Sequence, residues 1–167
     1  MLSIRTATID DIPVIRQLTY KVWPQTYASL LSQEQIDYML ELMYSEASLK
    51  QQLESGCRFI IVYDRNDPVG FASYQEIKPA IWKLHKLYIL SDQQGKGIGR
   101  FVIDYIIKEI GQHKAKALQL QVKKDNKAKF FYEKIGFKII EEIRLDIGNG
   151  FVMDDYIMEK TVGNVSD

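Results

Sequence analysis

The chain has 167 residues, 46% of them hydrophobic, and 22 basic side chains balance 22 acidic ones. That length is one ordinary domain, able to bury about 70% of the surface its unfolded chain exposes. Balanced charge leaves no global field for a nucleic acid or a membrane surface, and no stretch approaches the ~20 apolar residues of a membrane span.

Met1-Leu2-Ser3-Ile4-Arg5 leads straight into polar Thr8 and Asp10-Asp11, so no signal peptide is expected. Ser3 to Thr6 fit a short first strand. Thr8 or Asp10 then caps a helix, because a short oxygen-bearing side chain accepts the orphan N–H groups of a first turn. Ile12, Ile15, Leu18 and Val22 follow at near-helical spacing, with Pro13 tolerated in the first turn. Pro24 is expected to end that helix. Ser32 with Gln35 signals a second start, followed by Ile36, Met39, Leu40 and Met43 on one face. A third helical stretch runs from Ser45 through Leu49 and Leu53 to Gly56.

Cys57 is the single cysteine, which excludes an internal disulfide, and with two scattered histidines no metal site is expected. No histidine partner lies near it, so it reads as a buried, inert thiol in a reducing cytoplasm. Phe59-Ile60-Ile61-Val62-Tyr63 is a run of β-formers, Asp64 to Pro68 a turn, and Val69 to Ile77 the returning strand of a hairpin. Another strand spans Ile81 to Leu90. Beyond a glycine-rich segment, Val102, Ile103, Ile106, Ile107 and Ile110 mark an amphipathic helix. Leu118, Leu120 and Val122 alternate as a buried strand. Asn126 to Ile135 is a short helix capped by Asn126 and closed by Gly136. Two last strands bracket Gly148-Asn149-Gly150. The order predicts one mixed α/β domain over 1–167, with helices covering a central sheet.

The segment Gln94-Gly95-Lys96-Gly97-Ile98-Gly99-Arg100 joins a strand to a helix. Glycines there let successive backbone N–H groups point inward, and with the positive end of the helix they make an anion cradle suited to pyrophosphate. Lys96 and Arg100 add charge for phosphates. Gly95-x-Gly97-x-Gly99 matches neither G-x-G-x-x-G nor a G-x-x-x-x-G-K-[ST] loop, so a nucleotide-dependent oxidoreductase lacks its fingerprint.

Gln94-x-x-Gly97-x-Gly99 after a hydrophobic strand resembles the acetyl-CoA pyrophosphate loop of the GCN5-related N-acetyltransferase (GNAT) family. Asn126-Lys127-Ala128-Lys129-Phe130-Phe131-Tyr132-Glu133-Lys134-Ile135-Gly136-Phe137 resembles the family's second signature, and the likeness holds from Phe59 to Lys160. The resemblance implies an α/β fold whose mixed, mostly antiparallel sheet is splayed at its middle, with helices on both faces. It implies acetyl-CoA as co-substrate, an amine as acceptor, and a homodimer. Leu87, Tyr88 and Ile89 would lend backbone amides to the cofactor, one of them polarising the thioester carbonyl. Gln94, Gly95, Lys96, Gly97, Ile98, Gly99 and Arg100 would hold the pyrophosphate, and Asn126 and Lys129 would also contact the cofactor.

Tyr132 resembles the family tyrosine that protonates the sulfur of CoA. A phenol with a pKa of about 10 stays protonated at neutral pH and can serve as that acid. Family members often carry a glutamate base on the strand before the glycine loop, where this chain has Lys83, His85 and Lys86. His85, directly or through water, and Glu76 on the neighbouring strand are the candidate bases. Trp23, Gln25, Tyr27, Glu34, Asp37 and Tyr38, with Asp154-Asp155-Tyr156, supply acidic and aromatic groups suited to a cationic amine. That set resembles bacterial polyamine N-acetyltransferases. Tyr38 and Met39 equally fit a core, with the carboxylates solvated. Two other readings stand beside it: an acetyltransferase of peptide or protein N-termini, as for ribosomal proteins, and a non-catalytic acyl-CoA-binding sensor.

Overall fold

The computed structural model describes residues 1–163. Strand β1 (Leu2–Thr6) leads to helices α1 (Ile12–Tyr27), α2 (Gln33–Tyr44) and α3 (Glu46–Glu54). Strands β2 (Arg58–Asp64), β3 (Asp67–Lys78) and β4 (Ile81–Ile89) follow, then α4 (Ile98–Gly111), β5 (Ala117–Lys123), α5 (Ala128–Lys134), β6 (Lys138–Gly148) and β7 (Phe151–Thr161). Among the described residues the strands make one sheet in the order β1-β2-β3-β4-β5-β7-β6. The β1–β2, β2–β3, β5–β7 and β6–β7 pairs are antiparallel, whereas β4–β5 is parallel. This is the mixed, mostly antiparallel α/β sheet that the resemblance implied. The β4–β5 ladder runs from Ile81↔Ala117 to Leu84↔Leu120 and stops there, although β4 continues to Ile89 and β5 to Lys123. No helix among the described residues is long and apolar enough to cross a membrane.

The chain groups into two compact units, one of Met1–Gln75 with Lys86–Ile103, the other of Glu76–His85 with Asp104 onward. In the first, the entry to α1 is fixed by a reciprocal cap. Thr8 Oγ1 accepts from Asp10 N at 3.3 Å, and Asp11 Oδ2 accepts from Thr8 N at 2.8 Å. Arg5 grips the same carboxylate with two nitrogens, at 3.1 and 2.9 Å, and donates to the Tyr63 hydroxyl at 2.7 Å. The Arg5 guanidinium holds the Asp11 carboxyl below its ordinary value. A depressed carboxylate stabilises the fold above its unfolded pKa and loses that contribution as pH falls through the folded value. Asp11→Asn is therefore expected to melt lower than the parent at pH 7, with the gap closing below about pH 4; a gap constant with pH would contradict the pairing.

Pro24 does not end α1. The helix runs through it to Tyr27, with Ala28 N donating to Pro24 O at 3.0 Å. Tertiary packing explains this: Trp23 is buried, with its ring 5.7 Å from that of Tyr44 and 6.1 Å from that of Tyr88, and its ring also lies 4.5 Å from that of Tyr27 one turn on. Side-chain oxygens start the next two helices, Ser32 Oγ accepting from Gln35 N and Ser45 Oγ from Ser48 N, each at 3.1 Å. Ile15, Leu49, Phe59, Ile61 and Phe71 fill this unit's core. Lys86 is buried beside them, donating to Gln52 Oε1 at 2.9 Å, with its ammonium 5.0 Å from the Tyr44 ring centre.

In the second unit Leu118, Leu120, Val122, Phe137 and Met158 are buried, as are Ile106 and Ile110 of α4. The β6–β7 hairpin turns through Asn149 (φ 56°) and Gly150 (φ 81°), the two positive dihedrals of a tight two-residue connection.

Candidate active site

In the first unit, β4 ends beside β3, with Leu90 N donating to Val69 O at 2.9 Å. Gly70 permits that approach: a Cβ there would sit 2.6 Å from Tyr88 O and 2.7 Å from Ile89 Cδ1. After a short turn the chain passes through Gly95 (φ 81°) and Gly97 (φ 77°) into α4. These dihedrals favour glycine, and a Cβ at either position would meet nothing within 4 Å. The loop backbone is thus bare, at the positive end of a helix, with Lys96 and Arg100 exposed. Gln94 Nε2 ties it to the strand by donating to Ile89 O at 3.3 Å, and Lys96 donates to Gln93 Oε1 at 3.3 Å. Loop, helix end and cations together fit a pyrophosphate. Leu87 and Ile89 are half-buried. The Tyr88 side chain packs against Phe71 (5.8 Å) and its hydroxyl meets that of Tyr27 at 3.2 Å.

The second unit holds Asn126, Lys129, Tyr132 and the candidate bases His85 and Glu76. The cap position of α5 is Lys127 rather than Asn126. The capping hydrogen bond is nonetheless Asn126's, its Oδ1 accepting from Ala128 N at 2.8 Å, because an asparagine can bond two residues ahead in a turn. At the far end Phe137 N donates to Tyr132 O at 2.9 Å, and Lys160 Nζ donates to Ile135 O at 2.6 Å. Gly136 has φ 107°, and a Cβ there would lie 2.6 Å from Lys160 Nζ. Gly136→Ala should therefore cost roughly 1–2 kcal/mol and lower the melting temperature by several degrees; an unchanged midpoint would refute the strain argument. Tyr132 is buried, its ring 5.2 Å from Phe131 and 5.6 Å from Phe137. The Lys129 ammonium lies over the Phe130 and Tyr156 rings at 4.8 and 5.3 Å.

Of the candidate bases, His85 is exposed on β4, whereas Glu76 accepts from Ala80 N at 3.0 Å and so braces the β3–β4 turn. Cys57 is buried, which pushes its thiol up and fits an inert role. Trp23 and Met39 belong to the core, while Glu34 and Asp37 are exposed. Sequence reasoning missed a polar row across three strands: Lys83 Nζ donates to Gln121 Oε1 at 3.4 Å, and Gln121 Nε2 donates to Asp155 Oδ2 at 2.8 Å. Burial pushes the Lys83 ammonium down and the Asp155 carboxyl up.

An open mixed sheet with a bare glycine loop feeding a helix is the architecture of a CoA-dependent acyltransferase. The family model for the acetyltransferase (GNAT) domain matches residues 27–159, and the chain belongs to that family of acetyl-CoA-dependent N-acetyltransferases. It is 26% identical over 152 residues to an uncharacterized N-acetyltransferase of Bacillus subtilis, YuaI, covering 88% of this chain and 86% of that one. It is 24% identical over 159 residues to the spermidine N(1)-acetyltransferase of Thermoplasma acidophilum, covering 92% and 96%. Its fold resembles that of the PaiA N-acetyltransferase of the same organism, solved with coenzyme A, with a TM-score of 0.81 and 24% identity over 96% of this chain and 99% of that one.

Proposed function

We propose that residues 1–167 act as one domain that moves an acetyl group from acetyl-CoA to a primary amine by direct attack, and that the acceptor is a small cationic amine of the polyamine kind. The observation that carries the transfer is the bare loop at Gly95 and Gly97, fitted to the pyrophosphate of the donor. Gln94 to Arg100 hold that group, Leu87 to Ile89 offer amides to the thioester carbonyl, and Asn126 and Lys129 contact the donor further along. The neutral amine nitrogen attacks the carbonyl carbon, so a C–N bond forms as the C–S bond breaks. Sulfur leaves with the electron pair and takes the Tyr132 proton, while the amine gives its proton to His85, directly or through water.

The polyamine assignment is supported by the spermidine acetyltransferase relative, which aligns along 92% of this chain. Thiol release from acetyl-CoA, measured against spermidine, putrescine, aminoglycosides, amino acids and short peptides, tests the acceptor. Release with spermidine or putrescine is the expected result. Release with peptides alone would transfer the reading to peptide N-termini and remove the polyamine.

A further inference from the structure

Strand β6 closes one end of the sheet, so its outer edge has no strand partner among the described residues. It spans 11 residues, against five for β1 at the opposite edge, and is exposed along nearly its whole length. It also carries apolar side chains into solvent: Ile139, Ile140 and Leu145 are 39%, 50% and 44% exposed. A long edge with open N–H and C=O groups is a template for another strand, and proteins blunt such edges with charge. Strand β6 bears Lys138, Glu141, Glu142, Arg144 and Asp146. The order of those charges decides which strand is refused and which is accepted.

A strand paired antiparallel with its own copy about a two-fold axis sets each residue opposite one that points to the same face. The axis must therefore pass through a residue position. With the axis at Ile143, Glu142 of each copy faces Arg144 of the other, Glu141 faces Leu145, and Ile143 meets itself. No like charges are opposed, and the axis falls at the midpoint of the strand. An axis at Glu142 or Arg144 would set that residue against its own charge, and an axis further out would shorten the pairing. The irregularities of β6, between Ile139 and Glu141 and between Asp146 and Gly148, lie outside these central pairs. Both charged partners are exposed. Glu142 Oε1 already holds Lys124 at 2.7 Å, and a carboxylate has room for a second cation.

We propose that β6 pairs antiparallel with β6 of a second copy of this chain, about an axis at Ile143, joining two sheets into one. One face of the joint brings together Ile143 and Leu145 of both copies. The other carries a Glu142–Arg144 pair on each side of the axis, worth more than the contact of β6 with a strand lacking that charge order.

Sedimentation equilibrium of the full chain in the micromolar range should show a dimer. Glu142→Arg and Arg144→Glu, each alone, oppose like charges on both sides of the axis and should weaken association at least about tenfold. Mixed in equal amounts, the two variants should associate again, because every changed charge then faces its opposite on the other chain. Recovery in the mixture also shows that both variants are folded. Hydrogen exchange of the parent needs no variant: the β6 amides should exchange more slowly as concentration rises. A monomeric parent, β6 exchange indifferent to concentration, or folded variants whose mixture stays as weakly associated as each alone would overturn the proposal. A single variant that dimerises as tightly as the parent would overturn it too, since the interface would then lie elsewhere. None of these results bears on acetyl transfer.

Discussion

Tyr132→Phe should lower kcat at least about 100-fold while moving the acetyl-CoA KM by less than about twofold. The variant loses one hydroxyl and keeps the ring with its contacts to Phe131 and Phe137. What disappears is the proton that the departing sulfur takes, and positioned acid catalysis is worth about 10²–10⁴-fold. The split between kcat and KM is diagnostic, since an acid acts on the breaking C–S bond and not on the bound donor. Turnover unchanged from the parent would remove Tyr132 from the chemistry and leave it as a packing residue.

Gly70→Ala should cost about 1–3 kcal/mol of stability and raise the acetyl-CoA KM about tenfold or more. The added methyl would lie 2.6 Å from Tyr88 O and 3.2 Å from Ile89 Cα. Both are backbone atoms, so no rotamer change relieves the clash and β4 itself must shift. Ile89 O is also the atom that accepts from Gln94, so displacement of the strand end carries to the glycine loop. Titration of acetyl-CoA calorimetrically, alongside thermal melting, separates the two effects. A variant that melts lower but binds the donor as tightly as the parent would show that Gly70 serves packing alone.

Most of the architecture was legible because local signals agreed with it. Ser32 and Ser45 start α2 and α3, Leu118, Leu120 and Val122 alternate into the core face of β5, and Gly136 and Gly150 sit where positive φ is needed. The glycine loop was legible for the same reason, since a bare backbone with positive φ at a helix start requires glycine in the chain itself. Pro24 misled because its effect on a helix is local, while the packing of Trp23 against Tyr44 and Tyr88, which holds the last turn of α1, comes from distant parts of the chain. The polar row was hidden by register: Lys83, Gln121 and Asp155 meet only through the pairing of β4, β5 and β7, which no local pattern encodes. Lys86 did carry a signal, since Trp82, Leu84, Lys86 and Tyr88 share one face of β4 and a lysine in that apolar series marks a buried amine.

The most direct test of the central claim follows a labelled acetyl group from acetyl-CoA into product, with spermidine as acceptor and free thiol counted in parallel. Label recovered as N-acetylspermidine, one thiol released for each acetyl moved, is the predicted result. Protein that binds acetyl-CoA yet transfers label to no amine and releases no thiol would contradict the account and leave an acyl-CoA sensor in its place.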